Sequence, residues 1–319
     1  MQELNAYVHA NFATPTKIDI FRKAIVAGRL DVCRWVHEKS IATPVAILDA
    51  RADDNWALRH AAVNGHLAVC QWLHATFQLT PEDARADDTW TLRGAASYGH
   101  LAVCEWLHAT YFRTCGNTDA RAKNNYALRW AAAGGHLGVC QWLYATYSLT
   151  SADVRAKYDY ALRMAAARGH LAVCQWLASV GVELLDARDE RGRAGLRPRA
   201  RDPPLRLLMG DSNINIYQIL YCGVVGNNLD VCKWLHATFK PPPHNYGRDY
   251  LWRALREAAR NGDLAACKWL HTTFEFTRRK ETSGAMKAAA ENGHRDVCEW
   301  LHATYGIRRA RVTPRCRLE

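Results

Sequence analysis

One segment of the chain recurs, and this repetition constrains the fold more than any other feature of the sequence. The segment Asn55–Leu73 (NWALRHAAVNGHLAVCQWL) returns almost unchanged at Tyr126–Leu143 and Tyr160–Leu177. Repeats of this length are typical of stacked repeat architectures, so the sequence predicts eight structural units with one interruption. A glycine or asparagine marks the centre of each unit, at spacings of 37, 34, 36, 34, 58, 35 and 31 residues: Gly28, Gly65, Gly99, Gly135, Gly169, Asn227, Gly262 and Gly293.

Each unit is predicted to form two short amphipathic helices. Apolar residues recur three and four positions apart from Ala57 to Ala62 and again from Val69 to Leu73, which is the spacing of one helical face. Gly65, between the two segments, supplies the left-handed backbone that ends a helix. A unit of roughly 34 residues buries too little apolar surface to fold alone, so neighbouring units must share their apolar faces.

The connectors between units are predicted to contain short helical turns. Thr80 and Thr150 are each followed three residues later by an aspartate, and Pro81 occupies the preferred first helical position. Aspartates and arginines also recur together in the connectors, which predicts salt bridges between neighbouring connectors. Anion binding by the arginines is the alternative. The two rows are Asp49, Asp83, Asp119 and Asp153, with Arg51, Arg85, Arg121 and Arg155.

The core of the unit, Leu58–Val69 (LRHAAVNGHLAV), resembles the ankyrin repeat, whose helix pair carries a Leu-His-x-Ala-Ala-x-x-Gly-His core. The resemblance covers residues 15–185 and 214–305 and implies an all-α, ankyrin-like solenoid of about eight helix-turn-helix repeats with short helical-turn connectors. Trp56-Ala57 or Tyr126-Ala127 stands where the family has Thr-Pro, a style similar to the divergent ankyrin arrays of large DNA viruses and some protists. An arginine also replaces the family's His after the leucine, at Arg59, Arg93, Arg129, Arg163 and Arg256.

The resemblance also implies a function, that of a non-enzymatic scaffold which binds a partner protein on the concave face of the array. In ankyrin arrays the positions before the turn glycine line the concave groove, so Asn64, Tyr98 and Arg168 are candidate partner-binding residues. Tyr98 and Arg168 are the stronger candidates, because Tyr and Arg are frequent at binding hot spots. Trp130 and Met164, at a third variable position, are compatible with either the core or the groove.

An aromatic residue occupies the entry to the first helix in four units. Two interpretations are open for this row. The residues pack between repeats, which we favour, or they form exposed contact surface for the partner. The aromatic row consists of Trp56, Trp90, Tyr126 and Tyr160.

The repeats fall into two blocks separated by a basic insertion. The formal net charge is +11, and residues 186–210 hold seven Arg against four acids, while residues 306–319 hold five Arg against one acid. Clustered positive charge binds phosphates, so weak binding of nucleic acid or another polyanion through these two stretches is the alternative function. The predicted organisation is an N-terminal lead-in (1–16), repeats 1–5 (17–185), an Arg/Pro-rich insertion or linker (186–213), repeats 6–8 (214–305) and a basic tail (306–319).

The cysteines indicate a reducing compartment. Eight of the 11 cysteines occupy one helix position, and helices stacked about 8–10 Å apart hold them beyond the reach of a disulfide. We therefore expect buried free thiols and a cytoplasmic protein, with the nucleus as the other compartment. The chain has no run of about 18 apolar residues and no secretory signal at its start, so we expect no membrane contact. We also expect a monomer.

Cys and His lie four residues apart in several second helices, a spacing that zinc sites also use. We predict no zinc site, because each helix offers only two ligands, as at Cys70 and His74, and zinc takes about four at 2.0–2.3 Å. A packed thiol beside a surface imidazole is the preferred interpretation here, and equally at Cys104–His108 and Cys298–His302.

A second set of histidines follows the turn glycine. The ankyrin resemblance implies that they hold the loop by hydrogen bonding. The sequence contains no Gly-rich phosphate loop and no Ser/His/Asp spacing, so we predict no catalytic residue, no cofactor and no metal. These histidines are His66, His100, His136, His170 and His294.

Overall fold

The structure is a computed structural model that describes residues 17–41, 49–113, 118–182, 216–241, 248–276 and 279–306. The chain divides into two compact units, Met1–Asp153 (unit 1) and Val154–Glu319 (unit 2). The sequence predictions for the lead-in, the Arg/Pro-rich insertion and the basic tail after residue 306 fall outside the described residues.

Eight helix pairs follow one another in the described residues, which contain no strand, and we number them repeats 1–8. The first helices are α1 (Lys17–Val26), α3 (Ala52–Val63), α5 (Pro81–Ser97), α7 (Thr118–Ala133), α10 (Ala156–Ala167), α12 (Ile216–Val225), α14 (Arg248–Asn261) and α16 (Arg279–Glu291). The second helices are α2 (Leu30–Ile41), α4 (Leu67–Phe77), α6 (Leu101–Leu107), α8 (Leu137–Thr146), α11 (Leu171–Val182), α13 (Leu229–Phe239), α15 (Leu264–Phe274) and α17 (Arg295–Tyr305). A π-helical turn, His108–Phe112, continues α6, and a single turn, α9 (Ser151–Val154), precedes α10. The all-α prediction of helix-turn-helix repeats is confirmed.

Stacking within each unit places first helices beside first helices and second helices beside second helices. In unit 1 the order is α1, α3, α5 and α7, and in unit 2 it is α10, α12, α14 and α16. The paired alanines, such as Ala61 and Ala62, are fully buried and let the first helices approach closely, while Leu58, Cys70 and Leu73 fill the space between the two helices of a pair. Burying one leucine contributes about 1.5–3 kcal/mol, so the repeated leucines supply much of the driving force.

The turn glycine meets two requirements at once. Gly65 has φ +76°, and a Cβ on it would lie 2.5 Å from Nδ1 of His100 in the next repeat. Nε2 of His100 in turn donates to the carbonyl of Val63 at 3.0 Å. His66 and His294 make the same bond to Val26 and Arg260 at 2.9 and 2.8 Å. The loop-holding role that the resemblance implied is therefore confirmed for His66, His100 and His294.

The predicted helical turns are present in the connectors. Thr80 and Asp83 form a capping box at the start of α5, and the backbone N–H of Thr80 donates to the Asp83 carboxylate at 2.8 Å. Thr150 and Asp153 repeat this arrangement, also at 2.8 Å, at the start of α9. These two side-chain pairs satisfy backbone donors that the helix start leaves without a partner.

A left-handed backbone run follows each connector turn in repeats 2–4, and the sequence analysis did not anticipate it. Three successive residues in each repeat have φ between 52° and 62°. A left-handed conformation costs a non-glycine residue roughly 1–2 kcal/mol. The fold must therefore supply contacts that hold the runs Asp53–Asn55, Asp87–Thr89 and Lys123–Asn125.

Candidate functional site

The arginine after the leucine holds the left-handed run of its own repeat. Nη2 of Arg93 donates to the carbonyl of Asp87 at 2.7 Å, and only 5% of Arg93 is exposed. Repeats 2 and 4 show the same contact, from Arg59 to Asp53 at 2.8 Å and from Arg129 to Asn124 at 2.8 Å. In repeat 5, Arg163 donates at 3.1 Å to the carbonyl of Lys157, which is also left-handed at φ +58°. These arginines therefore have a structural role, and they carry out a task for which an imidazole at that position is too short.

The second arginine row links neighbouring connectors. Arg51 pairs with Asp83 at 3.1 Å, Arg85 with Asp119 at 3.3 Å and Arg121 with Asp153 at 2.9 Å. The predicted salt bridges between connectors are thus confirmed for these three pairs.

Asp153 shows how strongly this ladder acts on a carboxylate. Burial on its own would raise the pKa of Asp153. Hydrogen bonds from Arg121, Thr150 and Asn125 outweigh burial and lower the pKa to about 2. The carboxylate of Asp153 is therefore ionised at any ordinary pH.

The aromatic row is half-buried, and it contacts arginines across the repeat boundary. The ring centroids of Trp90 and Tyr126 lie 6.2 Å apart, and the guanidinium of Arg93 lies 5.3 Å from the first ring and 5.0 Å from the second. Arg22 of repeat 1 lies 5.2 Å from the ring of Trp56 in repeat 2. These contacts tie neighbouring first helices together in unit 1.

Trp130, a candidate outside the row, lies beside these contacts, and Tyr160, the last residue of the row, lies beside an arginine of its own repeat. In unit 1, the Trp130 ring lies 5.6 Å from that of Tyr126 and is half-buried. In unit 2, the half-buried ring of Tyr160 has Arg163 at 5.9 Å. The structure thus brings Trp90, Tyr126 and Trp130 together as one aromatic group.

The ends of the first helices expose the other predicted site residues. Tyr98 is 62% exposed, and its ring is nearly parallel to that of His100, with a centroid distance of 6.5 Å. Asn64 is exposed and donates to the carbonyl of its own helix at His60, at 2.8 Å. Arg168 is exposed in repeat 5 and belongs to unit 2.

The second helices hold thiols and imidazoles, and one prediction about the imidazoles is wrong. Burial raises the pKa of Cys70 and of Cys104 to about 12, as expected for packed thiols. His74, however, is no surface imidazole, because Tyr111 of the next repeat hydrogen-bonds to its Nδ1 at 2.8 Å. His108 meets Tyr147 in the same way at 3.3 Å. His74 and His108 are half-buried because an aromatic side chain of the next repeat closes over each of them, whereas His302 is exposed, as predicted.

A zinc site would need further ligands beside each Cys–His pair. Among the described residues, no group of three or more His, Cys, Asp or Glu side chains is placed to hold a metal ion. Nor does any helix in this part of the chain have the length and apolar character that crossing a membrane requires.

The comparison with family models identifies the fold family. A model of ankyrin repeats in three copies matches residues 92–188, and a model of ankyrin repeats in many copies matches residues 219–271. The chain is a divergent ankyrin-repeat protein. No curated protein matches it. Ankyrin repeats are in general protein–protein interaction modules.

Solved structures include a similar ankyrin protein. An X-ray structure of an ankyrin repeat family protein from Legionella pneumophila is 19% identical to this chain, with a TM-score of 0.39. The match covers 95% of this chain and 92% of that one.

Sequence reasoning treated all the arginines after the leucine alike, and one of them differs. In ankyrin repeat 7 the side chain of Arg256 is 51% exposed, whereas its equivalents in repeats 3 and 4, Arg93 and Arg129, are 5% and 9% exposed as whole residues. The signal that separates them was present in the sequence, since Arg253, Arg256 and Arg260 recur at helical spacing only in this repeat.

Proposed function

We propose that this ankyrin-repeat protein is a non-enzymatic scaffold that binds a partner protein on the first-helix face of unit 1. We define this face as the exposed side of α3, α5 and α7, with Asn64, Tyr98 and Trp130 on it and with Trp56, Trp90 and Tyr126 at the helix entries. Arg168 and Tyr160 occupy the equivalent places in repeat 5. A viral or protist source stays a prediction.

The exposure of Tyr98 is the observation that carries the proposal. Its ring is open to solvent, yet it stacks on His100, which is itself fixed to the preceding repeat by its bond to Val63. An exposed aromatic side chain that is already oriented loses little conformational entropy on binding, and tyrosine is enriched at hot spots. Tyr98 is therefore a suitable anchor for a partner.

The thiols support a proposal for the cell compartment. The described cysteines form no disulfide, and burial raises the pKa of most of them to about 12, which keeps those thiols protonated. We propose that the protein acts in the cytoplasm, with the nucleus as the other compartment, because both compartments keep thiols reduced. We also propose that it is a monomer.

Site-specific photo-cross-linking tests the proposal. A photoreactive phenylalanine analogue replaces Tyr98 in the full-length protein, and the same analogue replaces Gln71, an exposed residue of the second helix α4, in the matched control. After irradiation in cells we expect a protein adduct at position 98 that is missing at position 71. Identical adducts at both positions, or none at position 98, would contradict the proposed site.

A further inference from the structure

Helix α14, the first helix of repeat 7, carries a row of arginines on its exposed side. Arg253, Arg256 and Arg260 follow one another at intervals of three and four residues, so they lie on one face over a length of about 10 Å. All three residues are exposed, and the side chains of Arg256 and Arg260 are 51% and 49% exposed. The opposite face anchors the helix in unit 2 through the buried residues Leu251, Ala254, Leu255, Ala258 and Ala259.

The fold uses Arg256 differently from its equivalents in unit 1. Arg93 bonds to a carbonyl of the left-handed run in its own repeat. α14 is helical from Arg248 to Asn261 and contains no left-handed run, so no such carbonyl is offered. Arg256 and Arg260 instead share one carboxylate, that of Glu257, at 3.7 and 3.0 Å. Positive charge therefore exceeds negative charge along this row.

The helices on either side extend the surface. α12 and α16 both pack against α14 within unit 2. Val225, at the end of α12, is 43% exposed, which is unusual for a large apolar residue of this chain. The side chain of Lys287 on α16 is 73% exposed and lies 3.7 Å from Glu291. The two helices that flank the arginine row thus carry an exposed apolar residue on one side and an exposed lysine on the other.

We propose that this surface, formed by Arg253, Arg256, Arg260, Val225 and Lys287, binds an acidic segment of a partner protein. Guanidinium groups bind carboxylates through two parallel hydrogen bonds, and neighbouring turns of α14 present three such groups. Val225 adds an apolar contact beside them. The surface belongs to unit 2 and Tyr98 belongs to unit 1, so the inference adds a second docking site to the proposed function.

The charges favour a protein segment over nucleic acid. Glu257 lies within the row, Asp249 lies one turn before Arg253, and Glu291 lies beside Lys287. A phosphate backbone carries closely and evenly spaced charges, and these carboxylates would repel it. Separate carboxylates on a peptide can instead pair with individual arginines.

Fluorescence anisotropy on the full-length chain tests the inference. The probes are a fluorescein-labelled 12-residue peptide of Asp, Glu and Leu, the same peptide with Lys at its acidic positions, and a 12-nucleotide oligothymidine. We expect the acidic peptide to bind, and the triple variant R253Q/R256Q/R260Q to bind it about tenfold more weakly, since three exposed ion pairs are lost. The control variant, K233Q/K268Q, removes exposed charges from the second helices and should bind as the parent does.

Each outcome decides the inference. The inference is overturned if the parent protein does not bind the acidic peptide. It is also overturned if the parent and the triple variant bind the peptide equally, and that result assigns binding to the basic insertion or tail. Oligothymidine binding that is as tight and is lost in the triple variant overturns the choice of a protein partner. The peptide assay reads only the arginine row of repeat 7, so a failed cross-link at position 98 leaves this surface standing. Equal urea midpoints for parent and triple variant exclude unfolding as the cause.

Discussion

Repeat 3 of unit 1 and repeat 7 of unit 2 use the same Leu-Arg pair in different ways. In repeat 3 the connector makes a left-handed run before the first helix resumes, and Arg93 turns inward to donate to the carbonyl of Asp87. In repeat 7 the helix is continuous, and Arg256 stays at the surface. The position of an arginine in the repeat therefore does not decide by itself whether its side chain is buried. The local backbone conformation also matters, because a left-handed run offers the guanidinium a buried carbonyl.

The difference extends to the character of the two surfaces. The first-helix face of unit 1 carries half-buried aromatic rings and the exposed Tyr98, and the buried Arg93 and Arg129 lie 5.0 and 5.9 Å from the ring of Tyr126. In unit 2, α14 carries three exposed arginines, and one of them, Arg253, lies 6.0 Å from the half-buried ring of Tyr250. The two units are therefore suited to partners of different chemistry.

The largest expected effect is on stability, when the buried Arg93 and the exposed Arg256 are each replaced by alanine. R93A leaves the carbonyl of Asp87 without its donor and removes the contact with two rings, so we expect the free energy of unfolding to fall by about 2–3 kcal/mol. R256A removes an exposed side chain and should change it by less than about 0.5 kcal/mol. Urea unfolding of both variants measures the difference. Equal losses of unfolding free energy in R93A and R256A would contradict the difference between repeats 3 and 7.

Two aspartates should show opposite dependence on pH. The pKa of Asp153 falls from 3.8 to about 2 in the folded protein, so its contribution of about 2 kcal/mol is present above pH 3.8 and is lost as the pH falls through about 2. D153N should therefore destabilise the protein at pH 7 and have little effect near pH 2. Urea midpoints between pH 7 and pH 2 follow the change.

Asp159 of unit 2 provides the matched case. Burial raises the pKa of Asp159, and Arg155 and Arg163 only partly oppose the effect. The stability that this group contributes is present below pH 3.8, its ordinary value, and is lost as the pH rises through the raised pKa. We expect D159N to be neutral or stabilising at pH 7. A loss of stability at pH 7 as large as that of D153N would contradict this difference.

The smallest expected effect on stability comes from glycine substitutions that test the backbone conformation of repeats 4 and 7. Asn124 lies in a left-handed run at φ +57°, so N124G relieves strain and should be neutral or stabilise the protein by about 0.5 kcal/mol. R253G places glycine inside the continuous helix α14 and should cost about 1 kcal/mol. Thermal unfolding of the two variants reports the sign of each change. The same sign for both would mean that the backbone before the first helix is alike in repeats 4 and 7.

Much of the fold could be predicted from the sequence, because the spacing of apolar residues shows which face of each helix is buried. The spacing of Leu58, Ala61 and Ala62 indicated the first helix, and Thr80 with Asp83 indicated the turn before α5. The aspartate–arginine ladder was predicted for a similar reason, since its members recur in register. A contact can be predicted from the sequence where the two residues that make it lie in one segment or recur at a regular spacing.

The left-handed runs could not be predicted in this way. Lys123 and Thr89 have no preference for that conformation, and an arginine of the following helix stabilises each run from six residues away. His74 was placed on the surface because Tyr111, its partner, is 37 residues distant. The candidate site was harder still, since the exposure of Tyr98 and Arg256 depends on how neighbouring repeats pack.

Arginine-selective dicarbonyl footprinting of the folded protein, read by mass spectrometry, tests the central claim most directly. Modification requires access to the guanidinium group, so we expect Arg253, Arg256 and Arg260 to react quickly and Arg93 and Arg129 to react slowly. In urea all five arginines should react at similar rates. Equal rates at Arg93 and Arg256 in the folded protein would contradict the account.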